Sequence, residues 1–178
     1  MLSNDDKSRI QRILDRREIE DLTYDWFHGV DRLDAALQRS VLHDDATLYF
    51  VQGIQAPDEF VAWAQENIPK HNLSTHHVCG QIRICFEGDV AFGEVYWHAH
   101  HRIRRAEGGV EEWDNFLGGR YADRYERRQG CWKIAHRSEI VDWERMEPAT
   151  MSTVSSAMLR GARGDGDRVR QRELMRSI

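Results

Sequence analysis

The sequence predicts an α+β domain in which a curved antiparallel sheet packs over N-terminal helices. Three observations predict it. Apolar residues recur near a 3.6-residue period in the first third of the chain. Four long strand-like segments, separated by glycine-rich turns, fill most of the second half. Glycines interrupt those segments at Gly80, Gly93, Gly118 and Gly119, where glycine marks bulges or sharp bends. Helices followed by a meander give an α+β order. A sheet of this kind buries its apolar face by curling over the helices, and the result is a cone with a pocket.

The elements follow in order. Residues Asp5 to about Gly29 read as a helix, with Ile10, Ile13, Leu14, Ile19, Leu22 and Trp26 on one face and Gly29 as its break. Asp34 to His43 gives a second short helix, with Leu37 and Val41 facing inward. Asp44-Asp45 reads as a turn and Ala46 to Val51 as a strand. Pro57 suits the first turn of a third helix, with Phe60, Val61 and Trp63 inside. The strands are then Thr75–Phe86, Val90–Arg104, Glu112–Arg127 and Trp132–Trp143. Their turns are Glu87-Gly88-Asp89, Glu107-Gly108-Gly109 and Gln129-Gly130.

Pro148 closes the domain, so residues 1–147 form it and residues 148–178 are a C-terminal extension. That extension is rich in Arg, Asp and Gly, which predicts flexibility and at most a short helix near its end.

The 178 residues suit one domain with one core. A net charge of -5 argues against nucleic acid or an anionic membrane as partner. No apolar run is long enough to span a bilayer, and the charged N-terminus lacks the pattern of a signal peptide. Cys79 and Cys85 lie on one predicted strand, about 20 Å apart, too far to pair. With Cys131 they read as reduced thiols, and the expected location is cytoplasmic.

Six tryptophans, six phenylalanines and five tyrosines supply aromatic mass for a pocket. Two segments place a titratable group toward it. Asp31 follows the first helical pattern, and His77 opens the first long strand. His98 and His100 form an H-x-H pair, but the next carboxylate is Glu107, beyond Arg102, Arg104 and Arg105, a poor setting for a cation. No metal and no cofactor is expected.

The segments REIEDLTYDWFHGVD, THHVCG and GRYADRYERRQGCWKIAHRSEIVDW resemble the SnoaL-like branch of the nuclear-transport-factor-2-like superfamily. The resemblance spans about residues 8 to 145. In motif it is closest to lyases of the scytalone dehydratase and hexachlorocyclohexane dehydrochlorinase types. It implies an Asp–His dyad, with Asp31 as orienter and His77 as general base. It implies that Arg137, in WKIAHR, binds the polar end of a substrate, and that His101 matches a second pocket histidine. Where the dehydratase carries a pocket asparagine this chain has Tyr121, which implies a different substrate.

The chemistry stands without the family. A histidine is a useful base near neutral pH. A carboxylate on its other nitrogen fixes the tautomer and stabilises the imidazolium. The expected function is a cofactor-independent lyase, dehydratase, isomerase or C–C cleaving enzyme, acting on a small aromatic or polycyclic molecule. Tyr24, His28, Tyr49, Trp97, His101 and Tyr121 are the expected substrate contacts. The expected assembly is a homo-oligomer, dimer or trimer. Two alternatives stay open. One is a non-catalytic ligand-binding module or small subunit of a ring-hydroxylating dioxygenase. The other is a ketosteroid-isomerase-like site built from Asp114 or Asp123 with Tyr121.

Overall fold

The computed structural model describes residues 2–104, 111–150 and 157–176. Helix α1 spans Asn4–Arg32. Ser3 starts it with a capping box, its hydroxyl accepting from the Asp6 N–H at 3.0 Å while Asp6 returns a bond to the Ser3 N–H. The break expected at Gly29 is absent. A Cβ there would lie 2.8 Å from the Cβ of Gln38, so the glycine serves close helix packing instead. The chain turns later, at Leu33, which takes the left-handed conformation at φ 55°. Asp31 therefore sits in the last turn of the helix and not after it.

The covered face of α1 is shorter than the apolar pattern suggests. Asp15, Ile19, Thr23, Trp26 and Val30 are buried, whereas Ile10, Ile13 and Leu14 remain exposed. Buried Asp15 is satisfied by the Trp132 indole N–H at 3.1 Å and by Arg127 at 2.9 Å.

Helix α2 (Ala35–Ser40) is capped by Asp34, whose side chain accepts from the Leu37 N–H. Strand β1 (Leu42–Phe50) begins earlier than expected and absorbs the Asp44-Asp45 pair. Their carboxylates are held by Arg39 and Arg128, each at 2.7 Å, and the register against the neighbouring strand shifts there. A short strand β2 (Gly53–Gln55), not foreseen, folds back on β1 through Gly53 at φ 90°. Helix α3 (Pro57–His71) starts at Pro57 as expected.

The meander comprises β3 (Asn72–Glu87), β4 (Val90–Arg104), β5 (Glu112–Arg128) and β6 (Cys131–Pro148). The sheet order is β2-β1-β6-β5-β4-β3, with β1 parallel to β6 and every other pair antiparallel. Gln129 (φ 53°) and Gly130 (φ 84°) make the tight β5–β6 turn. The expected turn at Glu107-Gly108-Gly109 lies outside the described residues.

Bulges do the curling. The β3–β4 register shifts between Cys79 and Ile82, around Gly80, and the β5–β6 register shifts at Gly118/Gly119. A further shift opposite Arg124/Tyr125 changes which side of β6 faces inward: Trp132 and Ile134 are buried before it, Arg137 after it. One core results, centred on Trp26, Leu42, Leu48, Val95, Tyr125 and Ile134. Each such side chain contributes about 1.5–3 kcal/mol on full burial.

After Pro148 the described part of the extension holds two 3-10 turns and a short helix, α4 (Arg172–Arg176). It returns to the end of α1. Arg163 donates to the Asp31 carbonyl, the Asn72 carbonyl and the Thr75 hydroxyl, and Arg170 pairs with Asp34 at 2.7 Å.

Candidate active site

The site lies where the last turn of α1 meets the start of β3. The Asp31 carboxylate holds residue 77 twice. Oδ1 is 2.7 Å from His77 Nδ1, and Oδ2 accepts from the His77 backbone N–H at 2.9 Å. An ionised carboxylate can only accept, so Nδ1 carries the proton and Nε2 is left as the basic nitrogen. Both side chains are close to fully buried, at 11% exposure for His77 and 8% for Asp31. Burial by itself would raise the Asp31 pKa. The bonds and charge of His77, with a hydrogen bond from Thr75, outweigh it and hold the carboxyl below 3.8.

His77 lines a cavity of about 270 Å³. Its walls are mostly aromatic and aliphatic: Trp26, Val30, Phe50, Phe60, Trp63 and Ile68. The polar residues that line it are Gln52, Asn72, Thr75, His77, His101, Tyr121 and Glu139. This is an apolar pocket with a few placed polar groups, the usual form of a small-molecule site. Phe27 stacks on the His77 ring at 5.3 Å, and the His101 ring meets it edge-on at 5.2 Å.

His101 Nε2 is buried without a partner among the described residues. Burial pushes its pKa down to about 4, and the neighbouring His77 adds to the shift, so the ring is neutral near pH 7. Glu139 faces Tyr121 across β5 and β6 and lines the same cavity. Burial raises its carboxyl pKa, against the lowering effect of His77 and Arg137.

The SnoaL-like domain family matches residues 11–138, well over half of the chain. The chain belongs to the SnoaL-like family. Solved structures agree with the SnoaL-like fold. A hexachlorocyclohexane dehydrochlorinase of type 2 aligns with a TM-score of 0.71 at 22% identity, over 84% of this chain and 99% of its own. The type 3 dehydrochlorinase of Novosphingobium barchaimii gives 0.68 at 20%, over 83% and 98%. A protein of Novosphingobium aromaticivorans assigned as a scytalone dehydratase gives 0.64 at 19%, over 85% and 93%. No curated protein sequence matches the chain.

On this SnoaL-like frame, Asp31, His77, His101 and Tyr121 gather at one cavity. The other expected site residues lie elsewhere. Arg137 is fully buried and does not line the cavity, because Asp123 holds it at 2.9 and 2.7 Å through Nε and Nη2. Its guanidinium lies over the Tyr121 ring at 4.2 Å, behind the pocket wall. Trp97 is buried beside Tyr121, with ring centroids 5.7 Å apart, and is likewise not in the wall. Tyr24 and His28 are exposed on α1, at a shallow groove on the outer side of the dyad. Tyr49 is exposed on β1.

The carboxylates of the isomerase alternative are also engaged. Asp123 carries Arg137 and accepts from the Tyr125 hydroxyl at 2.6 Å. Asp114 is bound by Arg102 and His100, each at 2.7 Å. The latter bond takes up one member of the H-x-H pair. Among the described residues no group of three His, Cys, Asp or Glu is placed to hold a metal ion.

Glu139 is the site residue that sequence reasoning passed over. It stands two positions after Arg137, on the same strand face, where it reads as a partner for that arginine. The signal that identifies it is structural: Arg137 bonds to Asp123 through Nε and Nη2, while Glu139 lines the cavity.

Proposed function

We propose that this protein is a cofactor-independent lyase that eliminates a leaving group from a small aromatic molecule, with His77 as general base and Asp31 as its orienter. The observation that carries the reading is the two-point hold of Asp31 on His77 beside an aromatic-walled cavity. It turns a flexible imidazole into a fixed base with one free nitrogen. Nε2 takes a proton from carbon next to a carbonyl. The C–H electrons form the new double bond as the leaving group departs. Asp31 stabilises the imidazolium that forms. His101 and Tyr121 line the same cavity and are the groups that polarise the substrate's carbonyl oxygen. Tyr121 suits this because burial raises its pKa, so the phenol remains a donor. Arg137 acts at one remove, by holding Tyr121 through its ring face.

The neighbouring dehydrochlorinases and the protein assigned as a scytalone dehydratase support elimination as the reaction class. Exposed Phe92, Tyr96, Val141 and Trp143 on the sheet support self-association, dimer or trimer, through that surface.

The test is turnover of a panel of small aromatic β-hydroxy and β-halo ketones by the wild type and by His77→Ala. Loss of about 10²–10⁴-fold in kcat is expected for removal of a general base. Undiminished turnover by the variant would sink the base assignment, and binding of the panel without turnover by the wild type would favour a ligand-binding role.

A further inference from the structure

Glu139 brings a carboxyl-bearing residue to the wall of the cavity. Its side chain lines the same space as His77, His101 and Tyr121, and no hydrogen bond or ion pair satisfies it among the described residues. The guanidinium of Arg137 binds Asp123 through Nε and Nη2, and its Nη1 makes no hydrogen bond among the described residues, to Glu139 or to any other group. Glu139 is half-buried, and a carboxyl drawn out of open water without a partner is less stable in its charged form. Burial raises the Glu139 pKa, a direction that favours the neutral acid, against the opposing effects of His77 and Arg137.

We infer that Glu139 is the general acid of the site, and that the leaving group is therefore a hydroxyl, making the substrate class a β-hydroxy carbonyl compound and not a halide. The inference rests on the lyase reading above, with His77 as base. Its logic is the chemistry of leaving groups. Chloride departs as an anion and needs no proton. Hydroxide is a poor leaving group and departs as water only when a proton reaches it. A dehydrochlorinase needs a base alone, whereas a dehydratase gains from an acid and a base facing one substrate. This cavity offers both, on β6 and β3.

The step balances. His77 Nε2 removes the proton from carbon α to the carbonyl, and that electron pair becomes the C=C bond. The C–O bond breaks at the β carbon, and the departing oxygen takes the Glu139 carboxyl proton to leave as water. The His77 imidazolium then returns its proton to the Glu139 carboxylate, directly or through that water. Both groups regain their starting states, and the net change is substrate to enone plus water.

The experiment compares β-hydroxytetralone and β-chlorotetralone, both of which aromatise to naphthol after elimination, in the wild type, Glu139→Gln and His77→Ala. The expected result is a fall of at least about 100-fold in the hydroxy-to-chloro rate ratio in Glu139→Gln, the scale of general acid catalysis. A ratio within about threefold of wild type overturns the acid role, whatever happens to the absolute rates. His77→Ala reports on the underlying reading separately, because loss of the base lowers both rates together. Retention of both rates there sinks the lyase mechanism itself.

A second measurement requires no turnover. The infrared difference spectrum between wild type and Glu139→Gln at neutral pH should contain the C=O stretch of a protonated carboxyl, lost in the variant. An ionised carboxylate signature at that pH overturns the inference.

Discussion

Asp31 grips both the ring and the backbone of His77, with one carboxylate oxygen on Nδ1 at 2.7 Å and the other on the peptide N–H at 2.9 Å. Few single contacts fix so many degrees of freedom. The backbone bond sets where β3 begins relative to α1, and the ring bond sets the tautomer. The tight Gly29–Gln38 approach and the left-handed Leu33 cap determine where the carboxylate ends up.

Asp31→Asn tests the ring bond. The amide is isosteric, but its single oxygen can accept from only one of the two His77 donors, its NH2 then opposes the other, and no charge remains to stabilise the imidazolium. The expected loss in kcat is on the order of 10³-fold with little change in KM, because the defect is felt in the transition state. A parallel circular dichroism melt should show the fold retained. Equal loss in kcat and in folded fraction would mean that Asp31 serves the fold alone.

The Arg137–Asp123 pair predicts the opposite division. Both side chains are fully buried, at 0% exposure, and the pair lies behind Tyr121, outside the cavity. Truncating one partner strands the other's charge, at a cost of about 3–5 kcal/mol. Arg137→Ala should therefore lower the urea midpoint strongly. Arg137→Met with Asp123→Leu, which removes both charges, should recover much of that stability. No recovery in the double variant would show that the packing of the guanidinium on Trp26 and Tyr121 dominates.

His101 predicts an acid-sensitive fold. Its pKa is about 4 in the folded protein against an ordinary 6.5, so between those pH values the unfolded chain binds more protons. Stability is thus highest above pH 6.5 and falls as pH drops toward about 4. The loss is up to about 3 kcal/mol, from 1.36 kcal/mol per pH unit. The groups facing the ring are His77, Asp31, His100 and Arg163. Urea titrations at several pH values check it: His101→Gln should flatten the slope, and an unchanged slope would assign the acid sensitivity to another group.

Much of this architecture is legible in the sequence, for identifiable reasons. The turn residues Gly88 and Gln129-Gly130 mark strand ends because only certain residues accept positive φ cheaply. Asp31 and His77 stand out because a motif around each carries local geometry. What stays hidden depends on partners distant in sequence. Parity cannot show that the bulge near His136 turns Arg137 and Glu139 inward after Trp132 and Ile134. Nor can it show that Asp123 takes Arg137 and leaves Glu139 free in the cavity. The exposed Ile10, Ile13 and Leu14 fit a helical period well, but the sheet does not reach them.

Gly29→Ala tests how far site geometry depends on the packing of α1 against α2. The helical backbone tolerates alanine, and propensity alone would favour it by about 1 kcal/mol. The contact works against it. The new methyl would meet Gln38 Cβ at 2.8 Å, its backbone N at 2.8 Å and its Cα at 2.9 Å, and a backbone cannot rotate aside as a side-chain tip can. Relief requires α2 to move away or the end of α1 to bend. Overpacking of this kind costs about 1–3 kcal/mol, so the net effect is destabilising. Asp31 lies two residues further on, so the same displacement moves its carboxylate relative to His77. The variant should therefore lose both thermal stability and kcat, whereas an exposed control such as Ala62→Gly on α3 should lose only stability. A Gly29→Ala protein that melts normally and turns over normally would show that the Asp31–His77 contact is set by β3 and not by the helix pair.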